Sequence, residues 1–289
     1  MGLKEDLRSG LSCNKNGYFN SFQNNVYGGE MPERFQEMFD NGSGGELHSK
    51  AEAVHSSSML AYNFFHWIDE QHPFRLEEED YTEVLFEVKL KTLKQSNFPA
   101  NMDVVLKGKD CLLFIESKFL EYTESVKFDL SKSYNNPKKW YSIDINWDNI
   151  IQPVRNLVAN NEEKVKNKYG VKQLITHLFG ITSLKNEDAL KWFNKNNVFK
   201  IEKDDLPRIK FISLVFEPDA DNYKEEHDQY ENYYDLEKEF LKILGKNLND
   251  YLPVHKTYSE LWKVMESQIK DSQLKEFLKQ RYMRFAKKV

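Results

Sequence analysis

A chain of 289 residues with 40% hydrophobic content is long enough for one large domain or two small ones, with a sizeable buried core. Its 14% aromatic content excludes an unstructured chain. The net charge of −5 argues against nucleic-acid binding over the whole surface, but is compatible with a cleft that has a local basic rim.

Residues 1–30 are polar and Asn-rich and read as an irregular arm. Their opening, MGLKEDLRSG, lacks the apolar stretch of a secretory signal. MPERFQEMFD (31–40) reads as a short amphipathic helix. NGSGGEL (41–47) is a glycine-rich loop that leads into a longer helix over roughly 48–69. That helix carries Ala53, Leu60, Ala61, Phe64 and Trp67 at helical spacing. EEED (77–80) reads as a solvated turn. A β block follows: EVLFEVKLKT (83–92) alternates, NMDVVL (101–106) is a short strand, and CLLFIESKF (111–119) is strongly apolar. The KGKD turn (107–110) joins the last two as a hairpin. Helical patterns cover 147–168, 171–183 and 186–195. RIKFISLVFEP (208–218) is a further strand, and roughly 222–285 reads as helical. The expected fold is α/β: a mixed central sheet with an αβββαβ core, flanked by helices, with extra C-terminal helices. We read 1–289 as a single domain, with a core of about 40–220 and a helical addition of about 221–289.

The chemistry concentrates in 101–119. Glu116 and Lys118 are two apart in a strand and project to one face, while Ile115, Ser117 and Phe119 project to the other. If the hairpin pairs across KGKD, Asp103 reaches the same end of the sheet. Two carboxylates brought together repel and raise each other's pKa, and a hard divalent cation offsets that repulsion. The expected cofactor is Mg²⁺, for which Mn²⁺ can substitute. Lys118 would orient the attacking water or stabilise charge developing on a phosphate. CLLFI is wholly apolar and then switches to two charges, as a buried strand does where it enters a cleft. The alternative is a surface Glu116–Lys118 ion pair of little energetic weight.

The string NMDVVL, four residues, CLLFIESKF resembles the core of the PD-(D/E)XK nuclease superfamily. Further segments resemble a bacterial, restriction-endonuclease-like branch of it: GSGGEL (42–47), SSMLAYNFF (57–65), LFE (85–87), MDV (102–104) and IESKFLE (115–121), in family order. The resemblance implies that Asp103 and Glu116 are metal ligands and Lys118 the catalytic lysine. It adds Glu87 in the first strand and Glu46 in the glycine-rich loop as further acidic ligands, with Glu52 as a competitor that also reads as a solvated charge. It also implies that Gln173 sits beside the active site. His177, one helical turn on, is either its companion or a core-edge histidine. Met102 stands where the superfamily's name has proline.

Other candidates carry less. His48, His55, His66 and His72 lack zinc-ligand spacing, and no phosphate-binding GxxxxGK[ST] loop occurs. Cys13 and Cys111 form no disulfide framework and fit a reducing cytoplasm. No run of about 18 apolar residues occurs, so no membrane span is expected. The basic C-terminal stretch 275–289 reads as a solvated face, with DNA-phosphate contact as the alternative. The implied function is a metal-dependent endonuclease whose partner is nucleic acid, with double-stranded DNA the expected substrate. A homodimer would supply two sites for two strands. The alternatives are an RNA or structured-nucleic-acid nuclease of the same fold, or a non-enzymatic nucleic-acid-binding protein that retains the fold.

Overall fold

A computed structural model describes residues 2–42, 47, 50–96, 98–123, 130–142, 144–161, 170–203, 206–248 and 251–288. Its centre is a six-stranded mixed sheet in the order β1-β2-β3-β4-β5-β6. The strands are β1 (Phe74–Leu76), β2 (Glu79–Leu90), β3 (Ala100–Gly108), β4 (Cys111–Lys118), β5 (Arg208–Val215) and β6 (Val254–Thr257). The first four pair antiparallel, and β4, β5 and β6 run parallel. The mixed α/β fold and its αβββαβ order are therefore present, with β1 and β6 added at the two edges.

Every residue of β4 is buried, which explains its unbroken apolar run: both faces of this strand are covered. Leu113 and Ile115 join the core on one face, and Leu112 and Phe114 join the core on the other. On the first face lie α1 (Leu3–Arg8), α2 (Glu33–Asn41), α3 (Ser57–Phe65) and, from the end of the chain, α8 (Tyr258–Met265) and α9 (Ser272–Arg281). On the second lie α4 (Asp148–Asn160), α5 (Gly170–Ser183) and α6 (Glu187–Asn196). The long α7 (Lys224–Gly245) serves both cores. Tyr230 and Tyr233 pack into the first, and Leu236, Phe240 and Leu244 into the second. No described helix is long and apolar enough to cross a membrane.

Several sequence expectations are corrected here. The helix expected over 48–69 is only Ser57–Phe65 among the described residues. Upstream, residues 51–54 are drawn into non-helical contacts. Phe19 N donates to Glu52 O, Val54 N donates to Gly17 O, and Asn25 Nδ2 donates to Ala51 O and Ala53 O. Ser56 then caps the helix by accepting from Met59 N. The solvated turn expected at EEED is present at Glu77 and Glu78, between β1 and β2, but Glu79 and Asp80 already belong to β2. The C-terminal region, expected to be helical throughout, contains β6. The basic C-terminal stretch is structural. Arg281 is buried and donates to Leu7 O, Asn25 Oδ1 and Val54 O. Lys279 pairs with Glu266 at 2.5 Å, and Lys287 with Glu217 at 2.8 Å.

Gly180 on α5 marks how closely that helix approaches the sheet. A Cβ there would lie 2.5 Å from Leu90 Cβ, an atom fixed to the β2 backbone. Gly180→Ala is therefore expected to destabilise the fold by about 1–3 kcal/mol through overpacking. That outweighs the gain of about 1 kcal/mol from alanine's helix propensity. Chemical denaturation of the variant beside wild type checks this, and a more stable variant would contradict it.

Candidate active site

The site forms where the apolar part of β4 ends. Val104 pairs with Ile115 in the β3–β4 hairpin, so one step further Asp103 stands opposite Glu116. Glu116 continues the face of Leu112 and Phe114, and Lys118 follows on that face. Asp103 Oδ2 accepts a hydrogen bond from Ser117 N at 2.7 Å, which pins the carboxylate against β4. Lys118 Nζ lies 2.5 Å from Glu116 Oε1. From α5, His177 places Nδ1 3.2 Å from Glu116 Oε2 and Nε2 2.9 Å from the Asn101 carbonyl oxygen. Glu116, Lys118 and His177 are all buried, and Asp103 is partly buried.

The registers align one polar residue on each of five successive strands. Phe86 pairs with Val104 and Val88 with Met102, which sets Glu87 opposite Asp103. Glu116 pairs with Ser213, and Ser213 with His255. Residues in register share a face, so Asp103, Glu116, Ser213 and His255 make one polar row across four strands, whereas the alternation of β2 breaks at Glu87, where Phe86 joins the first core and Val88 the second. Glu87 is buried and holds a positive φ of 51° within β2. A non-glycine residue in that region is strained by about 1 kcal/mol or more. Its carboxylate accepts from Asn101 Nδ2 at 3.2 Å. Gly42, the first glycine of GSGGEL, sits directly against it: a Cβ there would lie 3.1 Å from Glu87 Oε2.

At the far end of the row, His255 Nδ1 hydrogen-bonds Glu237, and its Nε2 meets Tyr230 Oη at 3.1 Å. Ser213 Oγ is buried with no hydrogen-bond partner. Ser213 and His255 escaped the sequence reading. Nothing in RIKFISLVFEP singles out its serine until β5 is known to lie beside β4 in this register.

A family model described as "Restriction Endonuclease associating with ARP" matches residues 4–283. The chain belongs to this family. No curated protein and no solved structure matches it. For a member of a restriction-endonuclease-associated family, a nuclease is the coarse functional class, and nucleic acid the coarse partner class.

In this family member, the polar cluster is electrostatically frustrated in a specific way. Burial, and then the Glu116 charge, push the Asp103 carboxyl up to about 8. Burial raises Glu116 as well, against the pull of Lys118. Burial works against the Lys118 ammonium, but Glu116 and Asp103 outweigh it and hold it above the ordinary lysine range. Burial lowers His177 to about 4, so its ring is neutral near pH 7. Because Nε2 faces a carbonyl oxygen, it carries the proton, and Nδ1 turns a lone pair toward Glu116. Glu116 Oε1 meets the Lys118 ammonium, whereas Oε2 and His177 Nδ1 are buried 3.2 Å apart with no hydrogen-bond partner. Acceptors therefore converge with too few donors, an arrangement that a bound cation relieves.

The donor set fits a hard ion that keeps several waters, because Mg²⁺ needs only one or two carboxylates from a protein. It does not form a closed cage. Among the described residues, the three-ligand group whose donor atoms lie within 4.8 Å of one another is Glu217, His227 and Glu231, elsewhere on the molecule. There Lys287 already neutralises Glu217.

Glu46 lies outside the described residues. Glu52 is half-buried in the turns before α3, not on that helix. Gln173 is exposed on α5, one turn before His177, and the structure does not bring it into the cluster. Of the Gln173–His177 pair, the histidine is the residue that touches Glu116.

Proposed function

We propose that this protein is a magnesium-dependent endonuclease of the PD-(D/E)XK type that hydrolyses phosphodiester bonds in DNA. The observation that carries the reading is the convergence of Asp103, Glu116 and Lys118 in one buried cluster, with Lys118 Nζ 2.5 Å from Glu116 Oε1. Asp103 and Glu116 would hold the cation. When bound, Mg²⁺ would polarise the scissile phosphate and acidify a coordinated water.

The chain's own residues supply the rest. Lys118, charged through neutral pH, offers its ammonium to negative charge developing on the phosphate. His177, fixed by Asn101 and neutral, walls the site beside Glu116 Oε2 without adding a second positive charge. Ser117 N holds Asp103 in place. A homodimer would present a second site to the second strand.

The test is cleavage of supercoiled plasmid in Mg²⁺ or Mn²⁺ by wild type and by Asp103→Asn, with calorimetric titration of the metal. Wild type is expected to nick or linearise the plasmid only with metal. The variant is expected to stay folded, bind metal more weakly and fall to background cleavage. Equal cutting by both proteins would mean the activity does not belong to this site. Neither binding nor cutting would favour a nucleic-acid-binding protein that has kept the fold.

A further inference from the structure

A second feature adjoins the catalytic cluster. The connection from β2 to β3, the N-terminal half of α5 and the turns at 131–139 enclose a groove of about 600 Å³. Phe98, Pro99, Tyr134, Lys139, Lys172 and Thr176 line it. Among the described residues, two lysines face it and no carboxylate does, in a chain whose net charge is −5. The groove thus favours an anionic occupant.

Its most unusual part is Phe98, which is 82% exposed. The ring contributes nothing to either core, yet the backbone that carries it is braced. Phe98 N donates to Ser96 Oγ at 3.1 Å, and Ser96 Oγ donates to Phe98 O at 3.0 Å. Lys91 Nζ donates to Ser96 O. Lys94 N donates to Lys139 O at 2.9 Å, which fastens the two walls together. A solvated aromatic ring on a pinned loop, beside lysines, is the combination that stacks an unpaired base and tracks its backbone.

The groove is also in the right place. Ala100 lines it, and the next residue, Asn101, holds His177. Thr176 lines it and immediately precedes His177 on α5. Asp103 lies three residues along β3 from Ala100, about 10 Å away. A volume of this size admits one base and its sugar, not a duplex.

We propose that this groove receives an unpaired nucleotide base next to the scissile phosphate, with Phe98 stacked on the base and Lys139 and Lys172 on the flanking phosphates. This rests on the nuclease reading above and narrows its substrate class to DNA that is unpaired at the cut site.

The test is fluorescence anisotropy with Ca²⁺ in place of Mg²⁺, using a labelled duplex and the same duplex carrying a short mismatched bubble. Wild type is expected to bind the bubble more tightly. Phe98→Ala is expected to lose that preference by roughly five- to hundredfold, and Phe98→Trp to keep it. Lys172→Ala is expected to lower the slope of log affinity against log salt by about 1. Val254→Ala, which removes another exposed apolar side chain, is expected to change neither. Equal binding of both DNAs by wild type, or a preference that survives Phe98→Ala, would overturn the groove proposal. In that case plasmid cleavage that still depends on Asp103 would leave the nuclease reading standing. A wild-type protein that binds neither DNA and cuts no plasmid would overturn both.

Discussion

Lys118→Ala is expected to lower the rate of metal-dependent cleavage by about 10²–10³-fold, the range seen when one preorganised donor to a developing oxyanion is removed. The reason lies in its protonation state. With Glu116 2.5 Å away and Asp103 beside it, the amine stays charged across the neutral range. It therefore acts by its charge, not as a base, and its loss removes stabilisation made in the transition state. Single-turnover kinetics check this: the chemical step should slow while metal affinity, read by calorimetry, is retained or strengthened.

Lys118→Arg separates charge from shape. A guanidinium keeps the charge, but its planar fork does not fit a site where the native side chain is only 6% exposed. Partial activity at most is expected. A Lys118→Ala enzyme that cuts within a fewfold of wild type would reduce Lys118 to a structural ion pair.

The second large effect concerns pH. Without metal, Asp103 holds its proton up to about pH 8, and Glu116 is raised as well. A divalent cation must displace those protons, so its affinity is expected to rise with pH by up to about tenfold per unit for each proton displaced. Titration calorimetry from about pH 6 to about pH 9 reads this directly.

The metal-free fold should move the other way. The folded-state pKa of Asp103 lies above its unfolded value of about 3.9, so the folded state binds the extra proton. The stability this gives is full below the unfolded value and is lost as pH rises through about 8. His177 has the opposite sign. Lowered to about 4, it gives stability above its unfolded value of about 6.5 that is lost as pH falls. Between about pH 7 and pH 8, the slope from His177 fades as its unfolded form loses its proton, and the carboxyls dominate. Melting temperature in a chelator is therefore expected to fall across that window, and Mg²⁺ to remove the decline. A flat profile in chelator that Asp103→Asn leaves unchanged would show that these carboxyls are not raised.

The reach of local pattern explains what the sequence determined by itself. Alternation along 83–92 and the apolar run 111–115 mark strands because side-chain direction repeats every two residues, whatever the strand pairs with. The same rule placed Glu116 and Lys118 on one face. The short connection between two apolar runs required a hairpin, though its turn is only Lys109 and Asp110 because Lys107 and Gly108 extend β3, and the hairpin brought Asp103 opposite Glu116. These are contacts of low sequence separation, so local residues decide them.

Tertiary structure decided the rest. Four residues, VHKT, form β6 only because β5 offers a parallel edge beside them; on their own they carry no strand signal. Ser213 joins the polar row because β5 lies parallel to β4 in one register rather than the next, and a one-residue slip would turn it to the opposite face. On α5, Gln173 and His177 share a helical stripe, but only the packing of that helix over β3 buries the histidine against Asn101 and leaves the glutamine in solvent. Arg281, which reads as one of a run of surface cations, is buried because three oxygens from the N-terminal half of the chain converge on it. A local period fixes which side of an element a residue occupies. Only the packing of distant segments fixes what that side meets.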